Sequence, residues 1–275
     1  MSKKILLAAG CSYTANSYIS FDKDIPKEDR NGWSAWPELM ATELNLKCVN
    51  NGRSGSGSAD ILKQVMKGIA IYGNRIDTVA VLWSCASRES FYTFTFNALA
   101  EIDDDSKYDT WKWMDDIDIG KINKTYWNSN NFDKHTYENM LENQLCRMLA
   151  VIDICKAHNI KLVMAQGLGI FNYFALNKLY NEEKIGKNTY ITKKEYAMSL
   201  MSNPFFSKLE ENKDIIIGWP FIPLLGGSFL DLLRYDSNDN AMEKYYISEK
   251  DRHPNGLGHE LFSKAFITKY REFYD

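Results

Sequence analysis

The chain has 275 residues, 45% of them hydrophobic, which is enough to bury one large core and does not require two domains. A formal net charge of -3 supplies no broad basic field, so a nucleic-acid backbone or an anionic membrane surface is not the expected partner, and a small or neutral ligand fits better. The five cysteines (Cys11, Cys48, Cys85, Cys146, Cys155) are odd in number, widely spaced and without a CxxC pair, so neither a disulfide framework nor a zinc ribbon is expected.

The first element is the apolar run "KILLAAG" (4–10), read as a buried strand. Lys3 and Lys4 ahead of it imitate an export signal, but Ile5 to Ala9 is shorter than the ~7 to 15 apolar residues such a segment needs. No apolar run approaches the ~18 residues of a membrane span, so a cytoplasmic protein with reduced thiols is expected. An amphipathic helix, "WPELMATELN" (36–45), comes next, followed by "LKCVN" (46–50) as a second strand. A helix at "ADILKQVMKGIAIYG" (59–73) leads to a strand at "TVAVLWS" (78–84). A further helix, "ENMLENQLCRMLAVIDICKAH" (138–158), leads to strands at "IKLVMAQG" (160–167) and "DIIIGW" (214–219), and a last amphipathic helix begins near Leu257.

Strand and helix alternate, which predicts an α/β fold: a three-layer α/β/α sandwich around a central parallel sheet of about five strands, with ligands bound beyond the carboxyl ends of the strands. Two long excursions, 90–136 and 170–212, interrupt this single domain of residues 1–275 and read as lids, binding loops or surface decoration.

The loops after the strands therefore hold the candidate chemistry. In "GCSYT" (10–14), Ser12 stands where a buried strand turns toward a helix, with its hydroxyl at the rim of the sheet and backbone N–H groups available to a developing oxyanion. The plainer reading is that Ser12 or Thr14 caps a helix. Cys11 beside it is a rival nucleophile that would need its own neighbouring base or cation. The glycine-rich "NNGRSGSGS" (50–58) invites a phosphate-cradle reading. Gly52 and Gly57 have the P-loop separation, yet Ser58 and Ala59 stand where Lys and Ser/Thr are required, and Gly55-x-Gly57 runs on to Asp60 instead of Gly. Two uses remain: close approach of bare backbone N–H donors to a substrate oxygen, or a flexible turn ending in a serine helix cap.

In "EKDRHPNGLGHELFSKAF" (249–266), Pro254 fixes His253 just ahead of the last helix, and Asp251 precedes it. A loop histidine with a nearby carboxylate can act as a base, although a lone histidine is also commonly structural or merely exposed. His259 lies six residues later, which is not the i, i+4 spacing of a helical metal pair, and is expected to pack near the start of the helix.

Taken together and in this order, the blocks resemble the SGNH (GDSL-like) hydrolase family, over residues 5 to 266 with both excursions outside the match. The resemblance implies the flavodoxin-like SGNH hydrolase fold and serine ester hydrolysis, with Ser12 as nucleophile, Ser12 and Gly55 as oxyanion donors and His253 as base. It implies neither a metal nor an organic cofactor. Compact "GCSYT" chains of this kind also occur among phage-encoded members, for which the host cytoplasm would be the location.

Two departures stand out. Where the family's third block offers Gly-x-Asn-Asp, "WSCASRES" (83–90) has Ser84, Cys85, Ala86 and Ser87, so the oxyanion asparagine is missing. Loss of one such donor typically lowers turnover by ~10² to 10³, and Ser84, Ser87 and Arg88 are the candidates to replace it or to contact substrate. Arg88 also reads as one half of a surface ion pair with Glu89. Asp251 lies two residues before His253 where the family has three, Lys250 holds the expected place, and Glu249 is a second candidate to orient the imidazole.

The substrate expected is a small-molecule or glycan ester. Trp111, Trp113, Tyr126 and Trp127, set among Asp103, Asp104, Asp105, Asp115 and Asp116, could stack on sugar rings and bind hydroxyls of an acetylated carbohydrate, or simply pack the insert onto its host. The competing readings are a non-catalytic binding or structural protein with a degraded oxyanion hole, and a nucleotide-binding enzyme.

Overall fold

The computed structural model describes residues 3–16, 18–25, 32–86, 134–168, 201–221, 227–235 and 244–275. Strand β1 (Ile5–Gly10) is buried along its whole length. A run that is apolar at every position must be covered on both faces, and this is the condition for a central strand of a parallel sheet. Helix α1 (Trp36–Glu43) returns the chain to β2 (Lys47–Asn50), which pairs parallel to β1. Helix α2 (Ser58–Tyr72) crosses to β3 (Ile76–Trp83) on the other side of β1. Helix α3 (Lys134–Ala157) leads to β4 (Lys161–Gln166), and β5 (Ile216–Ile217) closes the edge. The order is β2-β1-β3-β4-β5 with every pair parallel, which is the expected three-layer α/β/α architecture.

The two-residue alternation of the strands sorts the core. Ile5, Leu7 and Ala9 of β1, with Val79, Val81 and Trp83 of β3, face one layer, where Ile61 and Val65 of α2 and Leu145, Met148 and Val151 of α3 meet them. Leu6 and Ala8, with Ala80 and Leu82, face the other layer, covered by Trp36 and Met40 of α1 and by Phe262 and Phe266 of the last helix, α6 (Gly256–Tyr274). Trp36 and Phe266 stack with ring centroids 4.2 Å apart, and Phe266 meets Phe229 of helix α5 (Phe229–Tyr235) edge-on. Gly68 lets α2 approach the sheet closely, since a Cβ there would lie 2.4 Å from the Leu7 side chain.

Two expectations are corrected. The strand read at 214–219 shrinks to two residues. A 3-10 turn at Lys213–Ile215 takes its start, and Gly218, at φ +75 and packed so that a Cβ would sit 2.1 Å from the Gly227 carbonyl, ends it. Helix α2 has no serine cap: Gly57 is the N-cap residue, and the Ser58 hydroxyl accepts a hydrogen bond from the Arg147 guanidinium at 2.6 Å. Within the second excursion, α4 (Pro204–Glu210) packs Phe206 and Leu209 into the core, while 169–200 and the first excursion through residue 133 lie outside the described residues.

Because α1, which follows β1, and α2, which follows β2, pack on opposite faces of the sheet, the connections that begin at the carboxyl ends of β1, β2 and β3 meet at one edge of the sheet. The three loops singled out in the sequence all begin there.

Candidate active site

Strand β1 ends on Gly10, a position where a Cβ would lie 2.1 Å from Thr14 Oγ1 and 2.9 Å from the Leu82 carbonyl, so only glycine lets the chain turn this tightly. The N–H groups of Thr14 and Ala15 both donate to the Cys11 carbonyl, closing a helical turn immediately after the strand. Neither hydroxyl in the turn caps a helix. Thr14 Oγ1 is buried without a partner among the described residues, and Ser12 Oγ meets a histidine instead.

That histidine is His253. Its Nε2 lies 2.8 Å from Ser12 Oγ across 241 residues of sequence, and its Nδ1 lies 2.6 Å from Asp251 Oδ1. The loop that carries it is tied down on both sides. Ile247 N–H donates to the His253 carbonyl, Asn255 N–H donates to the Tyr245 carbonyl, and the Asn255 side chain caps α6 by accepting from Gly258 N–H. From the nucleophile's own turn, the Tyr13 hydroxyl donates to the Arg252 carbonyl at 2.9 Å, tethering one half of the site to the other.

The shortened spacing between Asp251 and His253 has a local explanation. Asp251 Oδ1 also accepts the backbone N–H of His253 at 3.2 Å, so the carboxylate spans two residues as an Asx turn and meets ring and backbone together. Glu249, the other candidate, is exposed, and Lys250 pairs with Asp24. Asp251 is fully buried. Burial alone would raise its pKa, but hydrogen bonds from His253, Ser20 and Tyr18 outweigh that effect and hold the carboxyl at about 2, so it stays ionised.

The glycine loop folds against this turn. Asn51 and Arg53 N–H groups donate to the Ala8 and Gly10 carbonyls, continuing the β2–β1 pairing past the end of β2, and a Cβ on Gly52 would meet the Thr14 side chain at 2.7 Å. Gly55 has φ +79, in the left-handed region that glycine alone enters freely. Gln64, on the inward stripe of α2, bridges the two loops: its Oε1 accepts from Gly10 N–H at 2.8 Å and its Nε2 donates to Ser56 Oγ at 2.9 Å. Among the described residues, no acceptor is paired with the backbone N–H of Ser12 or of Gly55.

The third loop differs. Ser84 is fully buried, its carbonyl accepts from the amides of Gln144 and Gln166, and its Oγ has no partner among the described residues. Ala86, where the resemblance noted in the sequence would place an asparagine, is fully buried in the core. Ser87 and Arg88 lie outside the described residues. Cys11 is fully buried behind Ser12, and all five cysteines are free thiols. No group of three or more metal-ligating side chains occurs among the described residues, and no described helix is long and apolar enough to cross a membrane.

With serine, glycine and histidine loops gathered at the carboxyl ends of a 2-1-3-4-5 parallel sheet, the architecture is settled. The fold is a flavodoxin-like three-layer α/β/α sandwich. No family model and no curated protein matches the chain. Among solved structures it is similar to a lipolytic protein of the G-D-S-L family from Desulfitobacterium hafniense, with 13% identity, 98% of this chain and 99% of that one covered, and a TM-score of 0.46. It is also similar to a variant of an acetyl xylan esterase from Geobacillus stearothermophilus, with 13% identity, coverage of 98% and 94%, and a TM-score of 0.47. A third is LAE5, an alpha/beta hydrolase from the metagenome of Lake Arreo, Spain, with 14% identity, coverage of 99% and 97%, and a TM-score of 0.42. At identities this low, the chemistry of the site rests on its own geometry.

Three contacts at this site have no counterpart in the sequence motifs: Tyr18, Ser20 and Gln64. Gln64 carries a signal, a polar residue on the apolar stripe of Ile61, Val65, Gly68 and Ile69. Tyr18 and Ser20 carry none, because nothing in "YIS" marks a partner more than 230 residues away.

His259 packs near the start of α6 as expected, with Nδ1 accepting the Trp36 N–H at 3.3 Å, a role open only to the neutral ring. Burial, with a smaller contribution from nearby His253, pushes its pKa down from 6.5 to about 3. Between those values the unfolded chain binds a proton that the folded chain does not, so stability falls as pH drops through this window, by ~1.4 kcal/mol per pH unit for one such group. Asp251 acts lower: its contribution is present above its unfolded value of 3.8 and is lost as pH falls through about 2. The urea midpoint is expected to decrease from pH 7 to pH 4, with a shallower decrease in His259→Asn.

Proposed function

We propose that this chain is a serine esterase in which Ser12 attacks the ester carbonyl, His253 takes and returns the proton, and Asp251 holds the imidazole in the tautomer that leaves Nε2 free to accept. The observation that carries the reading is the continuous chain of contacts from Ser12 Oγ through both ring nitrogens to a buried carboxylate, at 2.8 and 2.6 Å. In the first half-reaction the Ser12 proton moves to His253 Nε2 as Oγ adds to the carbonyl carbon. The N–H groups of Ser12 and Gly55 receive the oxyanion, and the alcohol leaves with the proton from Nε2. In the second half, water gives a proton to Nε2, adds to the acyl carbon and releases the acid and the free hydroxyl.

The acyl and alcohol portions follow the expectation of a small-molecule or glycan ester, an acetylated carbohydrate included. The aromatic insert that would contact a sugar lies outside the described residues. The test is covalent labelling by a fluorophosphonate read by intact mass. The folded protein is expected to gain one adduct that maps to Ser12, and Ser12→Ala is expected to gain none. Hydrolysis of short-chain acyl esters and acetylated glycans should disappear in the same variant.

One observation favours a second reading. Ala86 is buried where an asparagine donor would stand, and Ser84 is sealed beside it, as in a fold that has given up turnover and kept a binding crevice. Wild-type protein that stays folded and unlabelled would support that reading over hydrolysis.

A further inference from the structure

We propose that Tyr18 and Ser20 are positioning residues for the candidate triad: they orient Asp251 and pin the His253 ring, making up for the one-residue shortening of the Asp-to-His spacing. This rests on the hydrolase reading of Ser12 and His253, and the two can fail separately.

The geometry is specific. A carboxylate offers about four lone-pair positions, and those of Asp251 are filled. Oδ1 faces the ring and backbone nitrogens of His253, while Oδ2 accepts from Ser20 Oγ at 2.6 Å and from Tyr18 Oη at 2.7 Å, with the Tyr18 hydroxyl also 2.9 Å from Oδ1. Without Ser20 and Tyr18, Oδ2 would be buried with no donor. A carboxylate held on one oxygen alone can rotate about its own axis, taking Oδ1 away from the ring. A buried, unpaired oxygen also favours protonation over the charge that orients imidazolium.

Tyr18 does a second thing. Its ring stacks on the His253 imidazole at a centroid distance of 3.9 Å and an interplanar angle of 25°, while Tyr13 meets the same imidazole edge-on at 5.2 Å. Held on one face and one edge, the imidazole cannot turn over, and Nε2 remains aimed at Ser12. Burial and the hydrogen bond to Asp251 raise the Tyr18 pKa far above its ordinary value, so the hydroxyl is a donor at every working pH.

The segment that carries these residues is itself fastened to the histidine loop. Ser248 Oγ donates to Asp22 and accepts from Asp251 N–H, Asp22 N–H donates to Ser20 Oγ at 3.2 Å, and Asp24 pairs with Lys250. Residues 18–24 thus act as a strap across residues 248–253, reaching Asp251 from the nucleophile's side of the sheet. The imidazole is therefore positioned by contacts remote in sequence as well as by the local turn at Asp251.

The test uses Tyr18→Phe, which keeps the stacking ring and loses the hydroxyl, together with Ser20→Ala and the double variant. One readout needs no substrate: the far-downfield proton resonance of an imidazole Nδ1–H bonded to a carboxylate, followed by NMR. Wild type is expected to show it, and the double variant to lose or broaden it while far-UV circular dichroism is unchanged. The second readout is the rate of fluorophosphonate labelling, expected to fall by roughly 10- to 100-fold in the double variant, with Ser20→Thr restoring most of the loss caused by Ser20→Ala. An unchanged resonance and labelling rate in the double variant would overturn the proposal. If the double variant does not fold, the same comparison is made on the two single variants, where no change in either readout overturns it equally. A wild type that shows the resonance and its loss in Tyr18→Phe, yet never labels, would keep the positioning role and remove the hydrolase reading.

Discussion

Replacing His253 with alanine is expected to lower turnover of a short-chain acyl ester by roughly 10⁶-fold, about 8 kcal/mol of transition-state stabilisation, the largest single effect foreseen for this chain. Among the described residues, the proton acceptor at Ser12 Oγ is His253 Nε2, and the fully buried Cys11 thiol offers no substitute. Without the imidazole, attack would have to proceed from an unactivated hydroxyl. The backbone N–H groups of Ser12 and Gly55 should survive the change, leaving a residual rate above the uncatalysed reaction. The measurement is kcat at saturating ester for folded wild-type and variant protein, with adduct mass after fluorophosphonate treatment as a second reading. A variant that retains more than about a hundredth of wild-type turnover would remove His253 from the chemistry.

The second large effect is expected from Asp251→Asn, with kcat falling by ~10⁴. The direction follows from the donors around the carboxylate. Ser20 and Tyr18 point hydroxyl protons at Oδ2, so the asparagine carbonyl is drawn to that side and its NH2 is turned toward His253 Nδ1. An amide that donates to Nδ1 moves the ring proton to Nε2, the atom that must accept the proton of Ser12. The geometry is kept and the tautomer is wrong. Imidazole nitrogen shifts read by NMR should show the proton on Nε2 in the variant and on Nδ1 in wild type. If the tautomer changes and turnover does not, Asp251 has no part in activating the base.

How much of this was legible beforehand varies element by element. Strand β1 was legible because a short apolar run bounded by turn signals fits a strand covered on both faces, and the mostly apolar runs of β3 and β4 read in the same way. Ser12 and His253 stood out as candidates because each sits in a loop after a strand or before a helix, and Gly55 entered only through the family resemblance; the contact between Ser12 and His253 is what the fold adds. Strand β5 was read too long, since a six-residue apolar stretch does not reveal that Gly218 must pack on Gly227 and end the pairing. A serine cap was one of two readings left open for the glycine-rich loop; Gly57 holds that place, and Ser58 is a partner of Arg147, 89 residues away. Whether Asp251 or Glu249 faced the histidine was open because i, i+2 spacing works only when an Asx turn folds the carboxylate back, and this is a property of the dihedral angles and not of the composition.

What the chain determined by itself is the alternation of strand and helix, and with it the sheet, because hydrophobic periodicity acts over a few residues and needs no distant partner. Only the tertiary structure decided which groups meet: Gln64 between two loops, Tyr18 and Ser20 on Asp251, and Ala86 inside the core. A hydrogen bond is made at about 3 Å between particular atoms, and separations of 54 to 241 residues along the chain carry no record of it until the sheet has brought the strand ends together.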